Sequence, residues 1–315
     1  MPLDAHVKAD LDARKASNSP PISAIPIETL RREFNSAMTQ LNASLPPIPI
    51  AATLDRTIPA PAHEIPVRIY TPEGNTPFPV IMYFHGGGFI GGNLDMQDTI
   101  CRILFREVSA VVVSVDYRLA PEYKFPAAPE DCFAATRWVA DHAAEIGGDA
   151  TRIAVAGSSS GGNLAAVTAL QARNEGSPLL RGQLLVNPVI DLREPHTRSA
   201  HENGHRDYGL SLDEMAYFKN QYLSSVQEAD HPLASPCCAN DLSGLPPALI
   251  ITCEYDMLRD EGEAYAQSLS EAGVPATAVR YDGLNHDIFA LPLRPGKSEE
   301  AMRTSCTWLK EVLRA

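Results

Sequence analysis

Five consecutive small residues, Gly157-Ser158-Ser159-Ser160-Gly161, match G-x-S-x-G, in which a serine at the tip of a sharp strand-to-helix turn presents its hydroxyl as a nucleophile. Of the three serines, Ser159 alone has glycine two positions away on both sides, where a side chain would collide with neighbouring backbone. Ser159 is therefore the candidate nucleophile. A serine hydroxyl is weak at neutral pH and needs an imidazole within hydrogen-bond reach and a third group to hold that imidazole. Of nine histidines, His286 alone lies beyond the strand ending near Cys253, in the loop Tyr281-Asp282-Gly283-Leu284-Asn285-His286. The orienting acid is expected just past the preceding strand, where Glu254, Asp256 and Asp260 stand. Asp256 is favoured, because Glu254 abuts the strand and Asp260 opens a helix; Asp191, also just past a strand, is the second choice. Upstream, Phe84-His85-Gly86-Gly87-Gly88-Phe89 ends a strand with consecutive backbone amides suited to an oxyanion, and the amide of Ser160 adds a donor. His85 reads as a residue that orients this glycine loop rather than as the base.

Residues so far apart in sequence need a frame that gathers strand ends. The chain supplies one by alternating strand and helix patterns: strands at 80–84, 111–116, 152–156 and 183–186, with helices at 98–109, at 129–144 and after Ser159. Strands at 248–253 and 277–281, with helices at 260–272 and 297–313, complete the series. Such βαβ repetition implies an α/β fold with a mostly parallel central sheet flanked by helices on both faces. Before it come two helical stretches, at 4–15 and 27–43, the second with Ile27, Leu30, Phe34 and Leu41 near one face. A Pro-rich link at Pro46, Pro47 and Pro49 then leads to an antiparallel hairpin from 53–58 and 64–70. From 191 to 241 the alternation stops in a polar segment with four histidines and one convincing helix, opened by the capping box Ser211-Leu212-Asp213-Glu214. That interruption is expected to lie over the carboxyl ends of the strands, where open sheets bind ligands. The organisation expected is one structural domain: cap helices at 1–45, a core of 46–190 and 242–315, and a cap insertion at 191–241.

The 315 residues, 44% of them hydrophobic, suffice for a full core. A net charge of −13 excludes a phosphate-backbone partner, which needs a basic footprint. No apolar run reaches the roughly 18 residues of a membrane span, and the amino terminus lacks a signal-peptide core, so a cytoplasmic protein without stable membrane insertion is expected. Six cysteines without C-x-x-C spacing do not make a disulfide framework, and the adjacent Cys237 and Cys238 read as a chance pair.

With these residues assembled, the chain resembles the hormone-sensitive-lipase-like group of α/β-hydrolase esterases from about Val80 to His286. The resemblance rests on His85-Gly86-Gly87-Gly88, on Asp116-Tyr117-Arg118-Leu119-Ala120-Pro121-Glu122, on the elbow Gly157 to Asn163, on the run from Glu254 to Gly262, and on Tyr281-x-Gly283-x-x-His286. It implies the α/β-hydrolase fold with a helical cap, a catalytic triad of Ser159, Asp256 and His286, and an oxyanion hole of Gly87, Gly88 and Ser160. It further implies hydrolysis of short- to medium-chain acyl esters without a cofactor. Two departures stand out. The elbow of the family commonly reads G-D-S-A-G-G, whereas Ser158 and Ser160 stand here in place of the Asp and Ala. Its histidine is commonly followed by Gly-Phe, but here by Asp287-Ile288.

A rival motif, His201-Glu202-Asn203-Gly204-His205, matches H-E-x-x-H, which on a helix places two imidazoles for zinc. Asn203-Gly204 is a turn signal and glycine costs roughly 1 kcal/mol in a helix interior, so no such helix and no metal are expected. A further alternative is a non-catalytic ligand receptor on the same scaffold, although the plant gibberellin receptors, which resemble this family, lack the triad histidine that His286 matches. The substrate pocket is expected to be lined by Phe34, Met215, Phe218, Tyr222 and Ile288, with the apolar face of the 211–222 helix packed on the amino-terminal helices above Ser159. The expected partner is a small-molecule ester, with a homodimer left open.

Overall fold

In a computed structural model of the chain, Val80, Met82 and Phe84 join one hydrophobic core while their neighbours Ile81 and Tyr83 join another. The next strand divides likewise, Val111, Val113 and Val115 against Val112. A strand alternates its side chains across the sheet, so an all-apolar run buries both faces only if each face is covered. The structure describes all residues except 18, 46, 47, 50–52, 62, 290–293 and 315, and the side chains of 41, 42 and 44 are likewise outside it. Pro46 and Pro47 of the expected link, and the side chain of Leu41, fall outside these described residues.

The sheet has eight strands: β1 (Thr53–Pro59), β2 (Glu64–Tyr70), β3 (Phe78–Phe84), β4 (Val111–Val115), β5 (Gly148–Ser158), β6 (Leu180–Val186), β7 (Ala248–Tyr255) and β8 (Ala276–Asn285). Their order is β1-β2-β4-β3-β5-β6-β7-β8. β2 runs antiparallel to both neighbours, which makes β1–β2 the expected hairpin, and every pairing from β4 to β8 is parallel. Parallel pairing puts the carboxyl ends of β3, β5, β7 and β8 at one edge of the sheet. The glycine loop, Ser159, Asp256 and His286 follow those four ends directly.

Helices cover both faces. Preceding the sheet are α1 (Ala5–Ala16) and α2 (Ile27–Ser44); within it come α3 (Asp98–Val108), α4 (Ala127–Asp141) and α5 (Ser160–Glu175). The insertion carries α6 (Arg198–Asn203) and α7 (Leu212–Tyr222), and α8 (Arg259–Glu271) and α9 (Lys297–Val312) close the chain. Buried side chains of α4, α5 and α8 share one core; those of α3 and α9, with Val7 of α1, share the other. Among the described residues no helix is long and apolar enough to cross a membrane, and all six cysteines are unpaired thiols.

The insertion holds more structure than its polar sequence suggests. Besides α7, whose capping box between Ser211 and Glu214 forms as expected, it contains α6 and 3-10 turns at Arg206–Tyr208, Val226–Asp230 and Pro236–Cys238. Short turns of this kind bury little periodic apolar surface, so pattern reading passes over them. Side chains fasten them to the sheet: Ser199 Oγ donates to the Met257 carbonyl at 2.9 Å, and Asn203 Nδ2 donates to the Glu254 carbonyl at 3.0 Å.

Between β5 and α5 the chain turns within one residue. Ser159 sits at φ 57°, ψ −121°, a conformation that side chains rarely adopt and that surrounding packing must enforce. An added Cβ on Gly161 would overlap the carbonyl oxygens of Phe84 and His85, and one on Gly157 would overlap the Gly161 carbonyl. Gly161→Ala is therefore expected to cost about 1 to 3 kcal/mol of stability through overpacking against backbone that has no room to yield. Denaturant unfolding of the variant checks this, and an unchanged midpoint would contradict the contact.

Candidate active site

Ser159 is pinned on both sides of its peptide: its amide donates to the Val186 carbonyl at 2.8 Å, and its carbonyl accepts from Asn163 and Val189. Asn163, fully buried in the first turn of α5, donates to the carbonyls of Val189 at 2.9 Å and Ala234 at 2.8 Å, joining the elbow to the insertion. His286 Nε2 lies 2.9 Å from Ser159 Oγ, and its Nδ1 lies 2.8 Å from Asp256 Oδ2. Asp256 is buried, and its second oxygen accepts the Leu258 amide at 3.0 Å. Both carboxylate oxygens are thus fixed, and the imidazole has one orientation available to it. Asn187 completes the holding set by donating to the His286 carbonyl at 2.9 Å. The sequence reading missed this residue, though a polar side chain immediately after a buried strand was a signal for it.

The competing carboxylates are engaged elsewhere. Asp191 pairs with Arg193 at 2.6 Å, Asp260 accepts the Ser199 amide at 2.7 Å, and Glu254 accepts the Gly283 amide at 2.7 Å. Burial presses the His286 pKa down, but the charge of Asp256, its hydrogen bond, and the fields of Asp287 and Glu214 outweigh it, leaving the imidazole above its ordinary value.

Facing Ser159 is the glycine loop. Gly87 and Gly88 take φ values of 126° and 61°, open to glycine, and among the described residues their amides have no hydrogen-bond acceptor. His85 is fully buried, its Nδ1 lies 2.8 Å from the Gly86 carbonyl, and its ring stacks on Tyr117 at 4.2 Å. The Tyr117 hydroxyl donates to the His85 carbonyl at 2.7 Å. Burial pushes the His85 pKa down to about 4, so this imidazole stays neutral and has no contact with Ser159 Oγ. A polarised hydroxyl beside unpaired amides is an arrangement that can attack a carbonyl and hold the resulting negative oxygen.

Ser159 and His286 open into a cleft of about 550 Å³. Phe34 and Phe218 line it, together with Leu30, Met38 and Phe289. Three expected pocket residues do not. Tyr222 is fully buried and stacks on Phe89 at 3.9 Å, beneath the glycine loop's backbone rather than in the cleft. Ile288 is buried in the core on the α3–α9 side, and its neighbour Phe289 lines the cleft instead. Met215 lines a separate cavity of about 320 Å³ walled by residues 191–197 and by Met257 and Leu258. One helix thus serves both: Glu214 and Phe218, four residues apart, form a stripe at the cleft, and Leu212, Met215 and Lys219 form the adjacent stripe at the second cavity, about 100° around the axis. The amino-terminal segment meets α7 directly at the turn Ile22–Ala24, α2 and α7 both line the cleft, and two ion pairs add to the contact, Arg14 to Glu214 at 2.5 Å and Lys15 to Asp207 at 3.1 Å.

Contrary to the turn expected there, His201 and Glu202 do lie on a helix, α6. It ends at Gly204, before His205, and Glu202 pairs with Arg198 at 2.6 Å. Among the described residues no group of three or more His, Cys, Asp or Glu side chains is placed to hold a metal.

A family profile described as alpha/beta hydrolase fold matches residues 81–290. An arylesterase of Saccharolobus solfataricus is 39% identical over 294 residues, covering 93% of this chain and 94% of that protein. A carboxylesterase of Mycobacterium tuberculosis is 42% identical over 258 residues, 80% of each. The solved structure of a hyperthermophilic esterase from Pyrobaculum calidifontis superposes with a TM-score of 0.94 at 43% identity, covering 99% of both chains. The chain belongs to the α/β-hydrolase family, in its hormone-sensitive-lipase-like group. It is a carboxylic ester hydrolase.

Because the imidazole must be neutral to accept a proton, and its neighbours stabilise the protonated form, activity is absent well below its raised pKa and appears as pH rises through it. The kcat/KM profile is expected to rise through an apparent pKa above the ordinary 6.5. A profile flat down to pH near 5 would contradict His286 as the base.

Proposed function

We propose that this protein is a serine carboxylesterase acting on short- to medium-chain acyl esters through an acyl-enzyme. The observation that carries the reading is the unbroken hydrogen-bonded line from Asp256 through His286 to Ser159 at a cleft whose opposite side offers the unpaired amides of Gly87 and Gly88. Ser159 Oγ attacks the ester carbonyl while His286 Nε2 takes its proton. The carbonyl oxygen, now negative, is held by the amides of Gly87, Gly88 and Ser160. His286 then returns the proton to the departing alcohol, leaving Ser159 acylated. Water, activated by the same imidazole, releases the acid and restores the hydroxyl. Asp256, hydrogen-bonded to Nδ1, keeps the imidazole in the tautomer that accepts at Nε2 and stabilises it when charged.

Residues 1–45 and 191–241 act in this reading as one cap. Phe34 of α2 and Phe218 of α7 reach the cleft from its two parts and supply apolar contact to the acyl chain. The cleft's volume suits a small ester, and similar proteins, among them an ethyl acetate hydrolase of Pseudomonas putida, are named for the same reaction class.

Ser159→Ala is expected to lower kcat by about 10⁴ to 10⁶ and to abolish labelling by a serine-directed phosphonate, with folding preserved. Asp256→Asn is expected to cost roughly 10⁴ while Asp191→Asn costs little. Loss of activity in Ser158→Ala or Ser160→Ala, with Ser159→Ala active, would overturn the assignment. Within the wild type, kcat/KM for p-nitrophenyl esters is expected to rise with each added methylene, by about 0.8 kcal/mol, until the acyl chain meets the end of the cleft.

A further inference from the structure

The residue after the candidate base is an acid, and its position bears on which alcohols the cleft accepts. His286 Nε2 faces Ser159 Oγ, so the proton it takes is handed to the leaving oxygen on the imidazole's side of the cleft. The alcohol portion of an ester therefore passes the turn at 286–289, where Asp287 and Phe289 both line the cleft. The other charges of the lining are largely cancelled. Arg14 is paired with Glu214 at 2.5 Å, and Arg31 is paired with Glu122 at 2.6 Å and bonded to the carbonyls of Ile90 and Ala120. Asp287 has no cationic partner among the described residues; its carboxylate meets one amide, Asn285 Nδ2, at 3.4 Å. Glu33, also on the lining, has neither a hydrogen bond nor an ion pair among the described residues. The cleft thus carries an uncancelled negative charge on the leaving-group side, with Phe289 of the same turn also on the lining to face a quaternary ammonium.

We infer that Asp287 sets the alcohol specificity of the enzyme, favouring esters whose alcohol bears a cationic ammonium over neutral isosteres and disfavouring anionic ones. This rests on the hydrolase reading above and adds to it the charge of the substrate. Its field also reaches His286, so activity on one ester alone would confound specificity with the strength of the base. A ratio between two esters that share the base removes that confusion.

The test compares kcat/KM for acetylcholine, for its uncharged carbon isostere dimethylbutyl acetate, and for acetoxypropionate, in wild type, Asp287→Asn and Asp287→Lys. The cation-to-neutral ratio is expected to fall about three- to fivefold in Asp287→Asn, the size of one exposed charge interaction, and further in Asp287→Lys, with acetoxypropionate gaining by a similar factor. Raising the salt concentration should compress the wild-type ratio toward that of Asp287→Asn. A ratio identical in all three proteins, with the neutral ester still hydrolysed, would overturn the inference and leave the hydrolase intact. If the wild type turned over none of the three esters and Ser159 resisted phosphonate labelling, the hydrolase mechanism itself would be wrong and this inference would fall with it.

Discussion

The closest constraint in the molecule is backbone against backbone: Gly161 of α5 lies directly on the carbonyls of Phe84 and His85, with no room for a single methyl group. This contact brings the end of β5 and the end of β3 together, and with them Ser159 and the glycine loop. It forces Ser159 into a positive φ that exposes its hydroxyl, and it brings the glycine loop up to that hydroxyl. Sparsely populated backbone of this kind costs on the order of 1 to 3 kcal/mol and persists where the surroundings over-determine it. Here they do, through the Val186 carbonyl, the Asn163 side chain and the strands on either side.

Around that contact the protein separates its ionisable groups by environment. His85 and His286 are the same residue type near one cleft, yet burial drives His85 down to about 4, while three carboxylates lift His286. One imidazole is held neutral beside the glycine loop, and the other is lifted above its ordinary value next to Ser159. Asp256 is buried with both its oxygens satisfied, by an imidazole and by a backbone amide.

The insertion turns a stable edge of sheet into a cleft. Its own sequence is too polar to form a separate core, so it borrows partners: Ser199 bonds to the Met257 carbonyl, Asn203 to the Glu254 carbonyl, and Arg14 reaches across from α1. The stretch between those two carbonyls carries Asp256.

Local sequence determined the parts of this protein whose physics is local. The alternating apolar runs dictated strands covered on both faces, Gly-x-Ser-x-Gly dictated a turn with Ser159 at its tip, and chain order after successive strands singled out Asp256 and His286. A capping box fixed the start of α7 at Ser211. Tertiary structure decided which way each side chain of that helix faced. Met215, Phe218 and Tyr222 form one apolar set in the sequence, yet they divide among a second cavity, the cleft and the core, because α7 is packed on three sides at once. It likewise chose Phe289 over Ile288, recruited Asn187, and added an ion pair between Arg14 and Glu214 to the amino-terminal contact. Periodicity says that a residue will be buried; what it is buried against depends on elements distant in the chain, and that is settled by packing.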